Sequence, residues 1–397
     1  MQALLNDEYD VVVCGAGPAG LLCVLELQKL SKVPLRIALL DKKDPWREPV
    51  ACAEAVHRDG FYKMFDPSED WIRNPIHGVT FVSPDGTRFS SERKNWGLNI
   101  DRAVMHKGLA ERCAWNGADC HFRSWIRKIH PYQNGFRQIE ITQGESNIQI
   151  KAKVVVDSCG AGSTIALEKN ICDGRFDTEP AVFALLEGIE FNPNFIELYF
   201  GTNYAPGGYA WLFPRCGDTA NVGLVVGREH VKTHAPRHLM KSFTDRFWPD
   251  VEYGALHGGP IPCGQDKTPI AHDFLFKAGD SMSCVHPISR AGILEAMHSG
   301  KLAAQGIIQL LADPTLEQKI YSQYLKDWYK VKGNFHEQVA RSKKAVGSIP
   351  DSALDRTAHR LQHIAPEKLG IGKIVWHSLI SHPKLLWDMK HYLFHKD

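Results

Sequence analysis

The sequence predicts an α/β protein. A Rossmann-type dinucleotide-binding domain is interrupted by an inserted antiparallel β-sheet and followed by a helical C-terminus. Three observations predict it. The chain opens with an apolar strand, a glycine-rich turn and an apolar helical run, "YDVVVCGAGPAGLLCVLELQKL". From about 180 to 230 the pattern changes to successive short strands. A second glycine turn, "KAGDS", comes only near residue 279, with a long helical run after it, so the opening domain is completed late.

The elements follow in order. "YDVVVC" (9–14) is a β-branched strand, residues 18–31 are helical, and "LRIALLD" is a second strand ending at Asp41, a βαβ opening. Gly15 permits a tight turn, Gly17 lets backbone approach a pyrophosphate, and Gly20 lets helix pack on strand. The helix start offers N–H groups and partial positive charge to phosphates. Asp41, about twenty residues on, is an acid placed to accept ribose hydroxyls. "VTFVSPDGTRFS" (79–90) reads as a hairpin with a Pro-Asp-Gly turn. "IDRAVMHKGLAERCAWNGA" (100–118) reads as a helix with Arg102 at its start, either a solvated surface residue or a ligand contact. "IQIKAKVVVDSCGAGS" (148–163) is a strand ending in a turn with Asp157, Gly160 and Gly162.

"AVFALLEGIEF", "FIELYF", "GGYAWLFP" and "TANVGLVVG" then read as antiparallel strands. "DFLFKAGDS" (273–281) returns to strand and turn, where Asp280 is placed to hold a flavin's ribityl chain. The helix of "AGILEAMHSGKLAAQGIIQLL" (291–311) would aim its N-terminus at the flavin's pyrimidine end, which gains negative charge on reduction. From 314 onward the chain reads as helical.

Composition narrows the function classes. The 397 residues are 44% hydrophobic and 23% charged, with net charge +2, which gives no pull toward nucleic acid. Ten cysteines without a C-x-x-C pair argue against a structural zinc or iron–sulfur site, so no metal is expected. Free thiols in this number suit a reducing cytoplasm. The N-terminus has no signal-peptide pattern, and no apolar run is long enough to span a membrane. In 374–397 aromatic, aliphatic, His and Lys residues interleave, which fits either a helical pair closing the core or peripheral contact with a membrane surface.

"GAGPAG", "NIDRAVMHKGLAERCAWNGA", "VVVDSCGAGS", "GGYAWLFP" and "AGDSMSCVHPISRAGILEAMHSGKLAA" together resemble the FAD-dependent geranylgeranyl reductase family, within the para-hydroxybenzoate hydroxylase-like flavoproteins. Y-x-W-x-F-P followed by Arg215 is the most specific of these motifs. The resemblance implies that Gly15, Gly17, Ala19, Gly20, Asp41 and Lys42 hold the adenosine diphosphate half of FAD and that Arg102 contacts the cofactor. It implies that Gly279 and Asp280 hold the ribityl and phosphate side, with Gly292 and Ile293 near the isoalloxazine. It further implies reduction of isolated C=C bonds in prenyl chains, with Cys52 of "VACAEAV" at the position of an active-site cysteine. Departures from the family pattern are Arg290 in "PISRAGI", Met105 and His106 where Phe-Asp is common, and "VDSCGAGS" in place of A-D-G-x-x-S.

Tyr209, Trp211 and Phe213 recur at every second position, so on a strand they share one face. Such a row serves either as sheet core or as a flat wall for an alkene, which binds through contact area. The superfamily builds its pocket from the inserted sheet, which favours the wall, with Tyr209 and Trp211 toward substrate and Phe213 in the core. Cys52 and Tyr209 are the candidate proton donors.

The expected division is 1–75, 99–175 and 270–312 for the FAD-binding domain, 76–98 and 176–269 for the substrate domain, and 313–397 for the helical region. With no second dinucleotide fingerprint, NAD(P)H would bind only transiently as reductant, and an electron-donor protein is the alternative. The competing readings are an oxygen-using monooxygenase or halogenase and a non-catalytic flavin-binding protein.

Overall fold

The structure, a computed structural model, describes residues 5–46, 50–161, 163, 165, 171, 177–263 and 268–382. The chain opens with β1 (Glu8–Cys14), α1 (Pro18–Leu30) and β2 (Ile37–Leu40), then runs through β3 (Ala55–His57), α2 (Arg58–Tyr62), β4 (Ile72–Val82) and β5 (Arg88–Ile100). Next come α3 (Arg102–Trp115), β6 (Asp119–His121), β7 (Ser124–Ile129), β8 (Arg137–Gln143) and β9 (Ser146–Asp157). β10 (Thr178–Leu186), β11 (Phe195–Tyr199), β12 (Tyr209–Pro214), β13 (Ala220–Val225), α4 (Pro236–Phe247) and β14 (His257–Pro262) follow. The chain then forms β15 (Ala271–His272), β16 (Leu275–Lys277), α5 (Ile293–Ala312), α6 (Glu317–Trp328), α7 (Asn334–Gly347), α8 (Asp351–Leu361) and α9 (Ile371–Ser381).

Two compact units share these elements. The first comprises residues 1–50, 103–177 and 262–337. Its sheet runs β15-β16-β9-β1-β2-β6, parallel from β16 to β6, and the antiparallel pair β7–β8 attaches to β9. β1 lies between two parallel neighbours, so both its edges are paired, and Val11, Val12 and Val13 are fully buried. Close packing of α1 on α5 depends on Gly300, where a Cβ would stand 2.1 Å from the Ala19 carbonyl oxygen.

The second unit comprises residues 51–102, 178–261 and 338–397. Its sheet runs β14-β10-β13-β12-β11-β4-β5-β3. The hairpin expected at 79–90 is the β4–β5 pair, turning at Gly86 with φ +96°. The sheet departs from a purely antiparallel one where β11 runs parallel to β4. Those strands are separated by the whole 103–177 excursion, so no hairpin has to join them. α4 covers one face, where Phe243 and Met240 pack with Leu212, Leu224 and Tyr199. Residues 51–75 group with this unit because β3 and β4 both pair with β5. The C-terminal helices divide between the units at 337/338.

Among the described residues no helix is long and apolar enough to cross a membrane. α9 buries Leu379 against Ala345, Ile349 and Val375 and leaves Trp376 61% and Ile380 41% exposed. Residues 383–397 of that segment lie outside the described residues, as does Gly162.

Candidate functional site

The first unit brings three chain segments together into a glycine-lined cradle, the candidate phosphate site. Gly15 adopts φ +106°, and a Cβ there would stand 2.3 Å from the Ser158 carbonyl oxygen. Gly20 is equally constrained, its hypothetical Cβ lying 1.9 Å from the Gly15 carbonyl oxygen. Gly17 differs: nothing lies within 4 Å of the place a Cβ would occupy. It is the N-cap of α1, which has no side-chain cap and no acid in its first turn. Helix-start N–H groups without partners, beside open space, suit an anionic pyrophosphate. The Ser158 hydroxyl ties the loop down by donating to the carbonyls of Cys14 and Gly15, each at 2.9 Å.

Asp41 follows β2 at the rim of this cradle. Its Oδ2 accepts the Ala16 N–H at 2.6 Å and its Oδ1 accepts the Lys43 N–H at 2.7 Å. Burial pushes its carboxyl above the ordinary value, opposed by those two N–H groups. Each oxygen keeps a second lone pair for a ribose hydroxyl. Lys42 is exposed, with its ammonium 5.9 Å from the Trp125 ring centre.

The late glycine turn completes this half. Gly279, at φ +70°, donates its N–H to Ser299 Oγ at 2.8 Å, and Ala19 lies 2.9 Å from where its Cβ would stand. Gly292 caps α5 with no side-chain cap, and Asp280 Oδ1 lies 3.8 Å from its hypothetical Cβ. Ile293 is buried at the first helical position. Asp280, Gly292 and the start of α5 thus converge. Arg290 turns its guanidinium back onto the Ile288 carbonyl. Behind the turn, Lys277 and Asp157 are register partners on β16 and β9. Both are fully buried, 3.3 Å apart as an ion pair without hydrogen-bond geometry.

The second unit holds the aromatic strand. Ring centres of Tyr209 and Trp211 are 6.3 Å apart, and those of Trp211 and Phe213 6.2 Å. The three rings share a face with Ile76, Phe183, Ile196 and Val225. Trp211 and Phe213 are buried and Tyr209 half-buried. The Trp211 indole N–H donates to Asn221 Oδ1 at 2.9 Å, and Asn221 Nδ2 donates to the Cys52 carbonyl at 2.8 Å. Asn221 is itself buried, so one amide joins the aromatic row to the cysteine loop. Cys52 is half-buried, and its Sγ accepts the Glu54 N–H at 3.2 Å.

Beyond Cys52 lies a charged knot. Glu54 adopts φ +69° and is buried, and its carboxylate pairs with Arg215 and accepts the Arg102 N–H at 2.9 Å. Arg215 also reaches Asp101 at 3.4 Å, and Asp101 pairs with Arg73. Burial pushes the Glu54 carboxyl up and Arg215 pulls it back. Asn221, Glu54, Asp101 and Arg73 were not visible as a set in the sequence. The only signal pointing to them was the basic residue directly after Tyr-x-Trp-x-Phe-Pro. Arg102 belongs to this knot through its backbone N–H, whereas the other expected cofactor residues stand in the first unit.

Two parts of the chain match known family models. Residues 177–257 match the model of the geranylgeranyl reductase catalytic domain, and residues 10–174 match that of lycopene cyclase protein. The chain is 26% identical over 395 residues to the digeranylgeranylglycerophospholipid reductase of Methanosarcina mazei, covering 97% of this chain and 96% of that protein. To its namesake in Methanosphaerula palustris it is 28% identical over 400 residues, covering 97% and 98%. Among solved structures, a geranylgeranyl bacteriochlorophyll reductase-like protein from Thermoplasma acidophilum superposes with TM-score 0.85 at 20% identity, over 98% of this chain and all of that one. A flavin-dependent brominase superposes with TM-score 0.68 at 17% identity, over 97% and 93%. These likenesses establish the shared fold.

Proposed function

We propose that the chain is a member of the FAD-dependent geranylgeranyl reductase family and reduces C=C bonds of an apolar isoprenoid substrate. The observation that carries the reading is the Tyr209–Trp211–Phe213 row, which lies inside the segment matching the reductase catalytic domain and is tied through Asn221 to Cys52. The relatives named above act on a digeranylgeranylglycerophospholipid, and a prenyl chain attached to a polar head is the substrate class proposed here.

The residues present fit FAD. Gly15, Gly17, Ala19, Gly20, Asp41 and Lys42 would hold its adenosine diphosphate half, and Gly279, Asp280, Gly292 and Ile293 its flavin half, with Arg102 as a further contact. Bound and reduced, FAD supplies the hydride from N5. NAD(P)H binding transiently and an electron-donor protein are the two proposed reductants.

The remaining roles fall to the chain's own side chains. Tyr209 and Trp211 present ring faces to a flat double bond, and the Trp211 N–H, already engaged by Asn221, stays out of substrate contact. Apolar walls exclude water from the reacting carbons. An unactivated alkene is a poor hydride acceptor, so proton delivery must accompany the transfer. Cys52 Sγ accepts the Glu54 N–H, and its S–H is the proposed proton source for the second carbon. The Tyr209 hydroxyl is the alternative donor. Exposed Trp376 and Ile380 on α9 are proposed to touch the lipid surface from which such a substrate is drawn.

The test is anaerobic. The yellow protein is reduced with dithionite, geranylgeranyl diphosphate or a digeranylgeranyl phospholipid is added, and the flavin band is followed. Return of the band without oxygen, with product gaining two hydrogens per reduced bond, is expected. Return only on admitting air would replace this reading with oxygen-using chemistry.

A further inference from the structure

We propose that His286 is the positioning residue of the flavin half of the first unit: its imidazole closes the loop of residues 286–291 and so fixes where α5 begins. The proposal rests on the FAD site proposed above and is independent of the choice of substrate.

Four hydrogen bonds within this loop end on His286. Its N–H donates to the Ala291 carbonyl at 2.8 Å, and its carbonyl accepts the Arg290 N–H at 3.0 Å. Its Nδ1 accepts two more N–H groups, from Ile288 at 3.2 Å and from Ser289 at 3.0 Å. Pro287 stands between and has no N–H, so these are the first two donors after His286 along the chain. Short polar side chains often close a turn by accepting the N–H groups that follow them. Here an imidazole does so.

The loop hands the chain directly to the flavin half. Arg290 sits at φ +58°, a left-handed conformation uncommon for a residue with a side chain, and its N–H is one of the four held by His286. Gly292 follows as the N-cap of α5, with Asp280 Oδ1 3.8 Å from its hypothetical Cβ. A loop that opens therefore displaces the helix start relative to Gly279 and Asp280.

Only an unprotonated Nδ1 accepts both N–H groups, so the proton of the neutral ring stands on Nε2. An imidazolium would turn a third donor toward the other two. The surroundings keep the ring neutral: burial first, then Lys332 and Arg290, hold its pKa down to about 4. His336 is the titratable ring packed against it, with centroids 5.2 Å apart, and the Phe335 ring stands at 5.5 Å. Lys332 is itself paired at 3.1 Å with Glu295, in the first turn of α5.

Two measurements test this. The first is the FAD affinity of the stripped full-length protein, read by quenching of flavin fluorescence. His286→Asn keeps an acceptor, Oδ1, bonded to Cγ as Nδ1 is, and should bind FAD within about threefold of wild type. His286→Leu keeps the branching without the acceptor and should bind at least about tenfold more weakly. A helix start favours the negative charge of reduced flavin. The Leu variant should therefore lose about fivefold more affinity for reduced than for oxidised FAD, a potential about 20 mV more negative. The second measurement needs no disruptive variant: imidazole nitrogen NMR of the FAD-loaded, histidine-labelled protein. At about pH 6, where an ordinary histidine is mostly protonated, the ring whose signals vanish in His286→Asn should be neutral with its proton on Nε2. Wild-type affinity in the Leu variant, equal losses in the Asn and Leu variants, or a proton on Nδ1 overturns the proposal. A wild type that takes up no FAD overturns the cofactor site along with it. Neither measurement involves turnover, so failure of the reductase reading is a separate result.

Discussion

Gly223 on β13 yields its side-chain space to Trp211 on β12. The two are cross-strand partners, and a Cβ at 223 would stand 2.5 Å from Trp211 Cζ2. The same Cβ would stand 2.5 Å from the Val182 carbonyl oxygen on the other neighbouring strand. The indole therefore lies over backbone, with no room for a side chain beneath it. Gly223→Ala is expected to cost about 1–3 kcal/mol, because neither the ring nor the β10 backbone can retreat cheaply. Urea denaturation reads this directly, and a midpoint equal to wild type would mean the ring has slack the structure does not show.

Asn221 gives a sharper test of the link between Trp211 and Cys52. Asn221→Ala leaves a buried indole N–H and the Cys52 carbonyl without their partner, at about 1–3 kcal/mol. Alkylation of Cys52, followed by peptide mass spectrometry, should accelerate as its loop loosens. Asn221→Asp keeps an acceptor for Trp211 but no donor for Cys52. It should therefore accelerate alkylation too, and unchanged Cys52 reactivity in both variants would dissolve the link.

The cradle glycines should separate binding from folding. Gly17 has φ −76° and open space around its missing Cβ, so Gly17→Ala should leave stability near wild type while abolishing FAD retention. Gly20→Ala meets backbone at 1.9 Å and should destabilise the apoprotein by about 3 kcal/mol or more. Thermal melts with and without FAD distinguish the two. Tight FAD binding by Gly17→Ala would remove that residue from the pyrophosphate site.

One buried and two half-buried imidazoles in the first unit set an acid limit. Burial, aided by the positive charge of Lys332, holds His286 and His298 down to about 4. His336 is held to about 3 by burial, then His286 and Lys332. Below the ordinary histidine value near 6.5 the unfolded chain therefore binds more protons than the folded one. Their contribution to stability is complete above about pH 6.5 and is lost as pH falls toward 4. A melting temperature lower at pH 5 than at pH 7 is expected, by an amount reflecting a few kcal/mol. His336→Asn should flatten the profile, and a flat wild-type profile would contradict the assignment.

The parts legible in the sequence were those imposed locally. Gly15 and Gly20 announce themselves because the backbone there excludes any side chain. The alternation of Tyr209, Trp211 and Phe213 announces a shared face because strand geometry has period two. What stayed hidden depends on register between distant strands. Nothing near Asn221 says that it reaches the carbonyl of Cys52, 169 positions away. Glu54 and Arg215 read as ordinary charges until β3, β5 and β12 bring them together. The parallel β4–β11 pair was hidden for the same reason.

The lateness of β16 has a consequence for how the molecule is made. Its partner β9 ends at Asp157, and β16 begins at Leu275, so about 120 further residues must be translated before the two can meet. At about 5–20 residues per second, a nascent chain waits roughly 6–24 s with that strand edge open on the ribosome. An edge of Val155, Val156 and Asp157 left unpaired for that long is a template for association with other chains. Heterologous production at low temperature, or with a trigger-type holdase present, should therefore raise the yield of folded protein more than any change to the finished surface.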